Sequence, residues 1–214
     1  MEVKYLNYDK KKFDFSSFFK NNLNIKNISH YLAKFSKDTI KKKIKDVKED
    51  DKFIRTYKEF IKTEIQKLFK YEIVYQKLPN IRVLYPNDIE AVVPYHCDKW
   101  YNHSIDEINF WLPLHQVYSS ESMQIVCLNK SLELEKKILK KKFSYNKINK
   151  LISKYAKPVK CDYGKILKFS PLHLHGNVIN KTKFPRISID FRVKKLNSKF
   201  QSKTLGGYFD VIRK

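Results

Sequence analysis

A change of hydrophobic period near Tyr71 constrains the fold of this 214-residue chain more than any other feature. Before that point apolar residues recur at helical spacing. The clearest case is 53–69, where seven of them share one face of a helix that Asp50 and Asp51 can cap. An earlier helix is predicted over 28–44. After Tyr71, short segments rich in β-branched and aromatic residues stand between Pro and Asn, which is typical of strands. The predicted strands are YEIVYQ, NIRVLYP, DIEAVVPYH, EINFWLPL, SMQIVCL, GKILKFS, LHLHGN, RISIDFRV and YFDVIR.

Helices followed by many short strands predict a mainly β fold, a sandwich or barrel with an N-terminal helical layer. We expect the helical layer to span 1–76 and the β core to span 77–214. A Lys-rich helical insertion of about 130–157 interrupts the core, with its helical part near 132–155.

Charge and composition narrow the classes of function. Lys and Arg number 45 against 22 Asp and Glu, a net charge of +23 that would suit an anionic partner such as nucleic acid. Only five of the 45 are Arg, however, and the chain is rich in Asn, Ile, Tyr and Phe. That mix is typical of an AT-rich genome, so nucleic-acid binding is the less favoured interpretation. With 4 Gly and no glycine-rich phosphate motif, nucleotide-binding P-loop and Rossmann folds are improbable.

Apolar segments and cysteines indicate the cellular location to expect for the protein. No stretch of 18 apolar residues exists, so no membrane span is expected, and the first residues lack the apolar block of a signal peptide. Cys97, Cys127 and Cys161 are widely spaced and odd in number, which favours free thiols in a reducing cytoplasm.

Five of the six histidines lie in the strand-rich half. His96-Cys97-Asp98 is an H-x-D motif, and on a strand its imidazole and carboxylate would point to the same face while Cys97 points to the core. One imidazole and one carboxylate are two of the three ligands of a facial iron site. Alone the motif is weak, because a surface His beside a capping Asp has the same spacing.

A second pattern lies downstream. On the strand RISIDFRV, alternation places Arg186, Ser188, Asp190 and Arg192 on one face. An Arg and a Ser that point together into a cavity form a good receptor for a carboxylate. Arg192 competes with Arg186 for that role, but it lacks a downstream Ser and is interpreted as a surface or Asp190-paired residue.

H-x-D followed by H-x10-R-x-S resembles the iron(II)/2-oxoglutarate-dependent oxygenases. The segments YHCDKWYNHSIDEINFWLPL and PLHLHGNVINKTKFPRISIDFRV are similar to a branch found in sporadic carbohydrate-biosynthesis clusters, distantly similar to the phytanoyl-CoA dioxygenases. The resemblance covers about residues 81–193, around half of the chain.

The resemblance implies a double-stranded β-helix, or jelly roll, with iron(II) on His96, Asp98 and His175. Arg186 would bind the distal carboxylate of 2-oxoglutarate, with Ser188 assisting. The implied activity is oxidation of a small polar metabolite such as a sugar or nucleotide-sugar, with dioxygen as oxidant and succinate as coproduct. Hydroxylation is favoured, and desaturation, ring closure and epimerisation stay open. Asp98 disfavours halogenation, because related halogenases carry a small residue there.

Other residues near these motifs have two interpretations each. Asn109 can bind the cosubstrate or a ligand, or be a buried Asn that satisfies backbone groups. Trp111, two residues on, can border the cavity or belong to the core. His173 shares a face with His175, but the ten-residue interval to Arg186 selects His175, which leaves His173 beside the metal or facing substrate.

Loop residues beside a metal site often touch substrate, which makes Trp100 and His103 candidates. His30 and His115 are interpreted as structural. No oligomeric state is predicted.

Two further functions compete. A cupin-type metalloenzyme would use the H-x-H of His173 and His175, but it needs a nearby downstream Glu and a Gly-rich frame, and neither follows. A basic nucleic-acid-binding or interaction protein would use the +23 charge and aromatic stacking, but it leaves both motifs unexplained.

Overall fold

The computed structural model describes residues 2–28, 32–141, 143–200 and 202–212. His30 lies outside the described residues, so its structural interpretation stays a prediction. The helices with assigned bounds are α1 Phe15–Leu23, α2 Lys37–Glu49, α3 Asp51–Phe60, α4 Leu128–Lys141 and α5 Tyr145–Ser153. The strands are β1 Lys4–Asn7, β2 Ile73–Gln76, β3 Asn80–Leu84, β4 Ile108–Pro113, β5 Gln124–Ile125, β6 Lys157–Pro158, β7 Lys165–Phe169, β8 His175–Gly176, β9 Arg186–Lys195 and β10 Phe209–Val211.

The N-terminal helices begin where side chains cap them. The Asp50 carboxylate accepts a hydrogen bond from the Phe53 N–H at 2.9 Å and starts α3, as predicted. The helix then continues as a π-helical turn, Ile61–Ile65, and a 3-10 turn, Gln66–Leu68. Of the helix predicted over 28–44, the structure shows a 3-10 turn, Leu32–Lys34, and then α2, which begins at Lys37 because Ser36 caps it by accepting from the Thr39 N–H at 3.1 Å. Residues 29–31 of that prediction lie outside the described residues.

Two antiparallel sheets form the β core. The larger has the order β1-β7-β4-β9-β2-β10, with β3 also paired to β9, and the smaller has the order β6-β5-β8. This confirms a mainly β fold of the jelly-roll kind with an N-terminal helical layer, although the sheets do not close into a barrel.

Strand boundaries differ from the prediction in two places. The edge strand β1 and the inner strand β2 both precede residue 77, so the large sheet crosses the expected limit of the helical layer. β1 escapes prediction because KYLN is short and mostly exposed. The segment 88–96, predicted as a strand, is mostly loop, since Pro94 has no N–H to donate to a ladder.

Strand β9 separates the apolar core from the cavity. Ile187, Ile189, Phe191 and Val193 face the helical layer within the main core cluster. The Phe191 ring lies 5.5 Å from the Tyr57 ring and 6.2 Å from the Phe60 ring, centroid to centroid. The alternate residues face the interior between the sheets, so the layer of helices stiffens the sheet that carries the polar residues.

The insertion forms α4 and α5, which close a second core. Their buried residues pack against the segment before the H-x-D motif and against Leu174. The members of this cluster are Tyr95, Cys97, Val126, Leu134, Ile138, Ile152 and Leu174.

Candidate metal centre and its cavity

His96, Asp98 and His175 lie together in the fold. One ligand atom from each lies within 4.8 Å of the other two. The Oδ1 atom of Asp98 is 3.5 Å from His96 Nε2 and 3.7 Å from His175 Nε2. Two imidazoles and one carboxylate at this separation can bind a divalent metal ion.

Backbone contacts orient both histidines. The Nδ1 atom of His96 lies 2.8 Å from the Pro94 carbonyl oxygen, and that of His175 lies 2.9 Å from the His173 carbonyl oxygen. A carbonyl can only accept, so each Nδ1 carries the proton and each Nε2 is left with its lone pair toward Asp98. Burial and the neighbouring His96 lower the pKa of His175 to about 4, which keeps its imidazole neutral and able to ligate at neutral pH.

A close backbone contact brings the two histidines side by side. The N–H of His96 donates to the His175 carbonyl at 2.9 Å, and the His175 N–H donates back at 2.8 Å. A Cβ on the next residue, Gly176, would lie 2.8 Å from the Val93 carbonyl oxygen. The glycine therefore allows the loop that carries His96 to approach β8.

Asp98 does not lie on a strand, contrary to the prediction. It begins the 3-10 turn Asp98–Tyr101, and its N–H donates to the Pro171 carbonyl at 3.0 Å. Burial alone would raise the pKa of Asp98, but the Arg192 guanidinium, which donates to Oδ2 from Nε and Nη2, outweighs it and holds that pKa well below its usual range. The carboxylate is thus ionised and available as a ligand.

Arg192 is the main contact that sequence reasoning missed. It is 8% exposed, so its interpretation as a surface residue is wrong. Its Nε and Nη2 atoms donate to Asp98 Oδ2 at 3.0 and 2.8 Å, while the expected Asp190 contact is longer, at 3.7 Å from Nη1. The signal was available, because alternation already placed Arg192 on the cavity face of β9.

Asn109, a predicted cosubstrate ligand, contacts the same carboxylate. Its Nδ2 donates to Asp98 Oδ2 at 2.7 Å. Its Oδ1 is buried and has no hydrogen-bond partner among the described residues. The amide therefore holds Asp98 with one end and offers an acceptor with the other.

Arg186 and Ser188 supply donors without acceptors. Arg186 is 2% exposed and Ser188 is fully buried. Within the described chain, neither Arg186 Nε nor Ser188 Oγ has a hydrogen-bond partner. Burial lowers the pKa of Arg186 to about 10, so the guanidinium is charged at neutral pH. Such a pair is matched to a carboxylate ligand.

One cavity is lined by the two histidines of the cluster and by Arg186. Its empty volume is about 490 Å³, including the mouth. Its lining includes the histidines of the cluster, Arg186 and three hydrophobic side chains that the sequence did not single out, Val93, Met123 and Phe169. Trp111 also lines it, with the Arg186 guanidinium 5.9 Å from the ring centroid, so Trp111 belongs to both cavity and core.

His173 lies apart from the ligand cluster. Its side chain is fully buried, its Nδ1 lies 3.1 Å from the Ser170 carbonyl, and its ring faces Phe169 at 6.1 Å. It contributes to the site through its backbone carbonyl, which orients His175. The H-x-H ligand pair of the cupin alternative is therefore not formed by the described residues.

Trp100 and His103 make structural contacts rather than cavity contacts. Trp100 Nε1 donates to Glu135 Oε1 of helix α4 at 3.2 Å, and Lys99 Nζ reaches the same oxygen at 3.3 Å. His103 Nδ1 lies 2.7 Å from buried Glu107 Oε2. The insertion thus anchors the turn that carries Asp98, through a glutamate that no motif identified.

The remaining predicted residues are placed as follows. Cys97 is buried in the second core, as expected, and burial raises the pKa of its thiol to about 12. All three cysteines are free. His115 lies on another surface depression, with its Nδ1 2.9 Å from the Gln116 carbonyl. Among the described residues, no helix has the length and apolar character needed to cross a membrane.

Comparisons with known proteins give one relative by sequence and several solved structures of low sequence identity. No family model matches the chain. It is 29% identical over 118 residues to the streptomycin biosynthesis protein StrG of Streptomyces griseus, an alignment that covers 55% of this chain and 44% of that protein.

Solved structures similar to the chain include non-heme oxygenases. A nickel complex of the non-heme monooxygenase ThoJ matches with a TM-score of 0.48 and 11% identity, over 70% of this chain and 55% of that one. The α-ketoglutarate-dependent carbocyclase SnoK of nogalamycin biosynthesis matches with a TM-score of 0.42 and 11% identity, over 58% and 51%. The chain spans about half the length of these proteins.

Proposed function

We propose that this protein is an iron(II)- and 2-oxoglutarate-dependent oxygenase, most simply a hydroxylase, that acts on a small polar metabolite. The observation that carries the proposal is a His-Asp-His cluster whose two histidines line the same cavity as Arg186. The Nε of this buried arginine and the Oγ of Ser188 on the same strand face have no hydrogen-bond partner among the described residues. A metal-only enzyme has no use for the second group, and an anion-binding protein has no use for the first.

The donor set fits both groups. His96 Nε2, His175 Nε2 and Asp98 Oδ1 would hold iron(II) and leave the other side of the ion to the cavity. Arg186 and Ser188 would bind the distal carboxylate of 2-oxoglutarate, which would give the buried guanidinium its anion. When bound, iron and 2-oxoglutarate supply the oxidising chemistry: dioxygen is reduced as 2-oxoglutarate is decarboxylated to succinate and the substrate is oxidised.

The chain's own residues orient the ligand side chains and keep water away from the metal. Asn109 and Arg192 fix the Asp98 carboxylate, and the Pro94 and His173 carbonyls fix the imidazoles. Trp111, Met123 and Phe169 line the cavity with apolar surface, which limits access of water to the metal. Asn109 Oδ1 is a spare acceptor beside the metal and can receive a hydrogen bond from cosubstrate or substrate.

The substrate class rests on the sequence. The motif segments resemble a branch found in carbohydrate-biosynthesis clusters, and the relative StrG carries a name from streptomycin biosynthesis. We therefore propose a sugar, or a sugar-derived or nucleotide-linked molecule, as the substrate, with dioxygen as co-reactant.

Anaerobic titration of the metal-free protein with iron(II) and then 2-oxoglutarate tests the proposal. Chelation of iron(II) by 2-oxoglutarate gives a weak visible charge-transfer band. We expect the band in the wild type, and at least tenfold weaker binding of 2-oxoglutarate in Arg186→Ala. Arg55→Ala, which removes an exposed arginine on α3, is the matched control and should titrate like the wild type.

Absence of the band and of bound iron in the wild type would overturn the proposal. If the band forms, succinate release scored against a panel of sugars and nucleotide-sugars identifies the substrate.

A further inference from the structure

The hydrogen bonds of Asp98 are distributed unequally between its two oxygens. Oδ2 accepts three: from Asn109 Nδ2 at 2.7 Å, from Arg192 Nε at 3.0 Å and from Arg192 Nη2 at 2.8 Å. The Nε2 atoms of His96 and His175 lie 3.5 and 3.7 Å from Oδ1. One oxygen is saturated by donors from the sheet, and the other faces the ligand cluster.

Arg192 is itself held in one orientation. Its Nη1 lies 3.4 Å from Tyr208 Oη and 3.7 Å from Asp190 Oδ1, and its Nε lies 4.0 Å from Glu107 Oε2. Tyr208 in turn donates to Gln76 Oε1 of β2 at 2.8 Å. The guanidinium therefore cannot turn away from Asp98 without breaking its contacts to Tyr208 and Asp190.

We propose that Arg192 and Asn109 form a positioning pair that makes Asp98 a one-oxygen ligand, with Oδ1 on the metal and Oδ2 withheld from it. The proposal rests on the metal site proposed above. Two consequences follow. A carboxylate that cannot chelate through both oxygens leaves one more coordination position open to cosubstrate and dioxygen. The buried Arg192 charge also offsets that of Asp98, so the bound metal keeps its full attraction for an anionic cosubstrate.

The pair also explains why β4 and β9 carry polar residues in a buried position. Asn109 and Arg192 lie directly opposite each other in the β4–β9 ladder, so their side chains share the cavity face. Asp98 lies at the start of a 3-10 turn outside this ladder, and its Oδ2 accepts hydrogen bonds from both side chains. Either residue alone would leave the carboxylate free to rotate about its Cβ–Cγ bond and present both oxygens.

Cobalt(II) binding to the metal-free protein tests the proposal, with affinity from competition against a chelator and coordination from the visible d–d bands. Arg192→Gln should weaken cobalt binding about 10- to 100-fold, the range found when residues that orient metal ligands are removed. Its d–d bands should also shift, because a carboxylate that binds through both oxygens replaces a solvent ligand on the metal. Arg192→Lys restores a donor and the charge, and it should recover part of the affinity.

Asn109→Ala keeps the proposal testable if Arg192→Gln does not fold, because it removes one donor and no charge. It should show the same spectral change with a smaller loss of affinity. Arg55→Gln is the matched control: Arg55 is an exposed arginine on α3 that does not line the cavity, and the cobalt spectrum of this variant should match the wild type.

The outcomes are distinct. Wild-type protein that binds no metal overturns the proposed metal centre itself. Wild-type protein that binds cobalt, with Arg192→Gln and Asn109→Ala unchanged in affinity and spectrum, overturns the positioning pair and leaves the metal centre standing.

Discussion

Strand β9 has two faces with opposite chemistry, although both are buried. Towards the helical layer it presents Ile187, Ile189, Phe191 and Val193, which pack in the main apolar core. Towards the cavity it presents Arg186, Ser188 and Arg192, each at most 8% exposed. Apolar burial on the first face stabilises the fold. Buried charge on the second opposes it unless a partner or ligand compensates.

The difference separates stability from function along a single strand. Arg192 has its partner in Asp98, whereas no described residue bonds to the Arg186 Nε or the Ser188 Oγ. A chain selected for stability alone would place an apolar residue at 186. We interpret the retained charge as the mark of a ligand that binds there.

The largest expected effect lies on the apolar face. Phe60 is fully buried, and its ring packs against those of Phe13, Phe15 and Phe191. Phe60→Ala should lower the free energy of unfolding by about 3–5 kcal/mol, through lost burial and the cavity left behind. Denaturant titration measures it, and Phe60→Leu provides a milder variant if the first does not fold.

Cobalt affinity of the folded Phe60 variant should equal that of the wild type. A loss of cobalt affinity in this variant would contradict the separation of the two faces, because packing on the apolar face would then also control metal binding on the cavity face.

An intermediate effect on stability is expected at Gly176, where the backbone of β8 packs against the backbone of the loop that carries His96. Gly176→Ala places a Cβ 2.8 Å from the Val93 carbonyl and 3.0 Å from the Pro94 carbonyl carbon. The strain should cost about 1–3 kcal/mol of stability. Since Pro94 also orients His96, cobalt affinity should fall as well, unlike in Phe60→Ala. A variant with lower stability and normal affinity would contradict this reading of Gly176.

An effect of similar size on stability is expected at the insertion. Glu135→Ala removes the acceptor of Trp100 Nε1 and the partner of Lys99 Nζ. Leaving the half-buried indole N–H unpaired should cost about 1–3 kcal/mol. Glu135→Gln keeps an acceptor for Trp100 and loses only the pairing with the half-exposed Lys99, so it should cost less than about 1 kcal/mol. Equal losses in the two variants would show that the charge, and not the hydrogen bond, anchors the turn.

The smallest change in stability, with the opposite sign, is expected at Arg186. Arg186→Met replaces a buried charge with an apolar side chain of similar length, and it should leave the protein equally stable or about 1 kcal/mol more stable. Binding of 2-oxoglutarate should be lost in the same variant. Thermal unfolding without ligand, beside the anaerobic titration, measures both, and a clear loss of stability would mean that Arg186 serves the fold.

The faces of β9 could be predicted from the sequence, because period-two alternation is a local property. The proximity of His96, Asp98 and His175 was expected from the family resemblance, and the structure brings the three together. For Asp98 the predicted position beside the histidines is correct, although the predicted secondary structure is wrong. It was expected on a strand beside His96, but it reaches the cluster from a 3-10 turn that the Pro171 carbonyl holds.

Contacts between segments that are far apart in the chain could not be predicted from the sequence. Arg192 meets Asp98 across 94 positions and Glu135 meets Trp100 across 35, and neither distance follows from a local pattern. β1 was missed for a related reason, since an exposed four-residue edge strand has little apolar alternation to detect.

The most direct test of the central claim is a crystal structure of the protein with iron(II) and 2-oxoglutarate under anaerobic conditions, using anomalous scattering at the iron edge. The account predicts one iron on His96 Nε2, Asp98 Oδ1 and His175 Nε2, with Asp98 Oδ2 still on Arg192 and a carboxylate on Arg186. Iron elsewhere, or an Arg186 guanidinium that remains without an anion in the presence of bound 2-oxoglutarate, would contradict it.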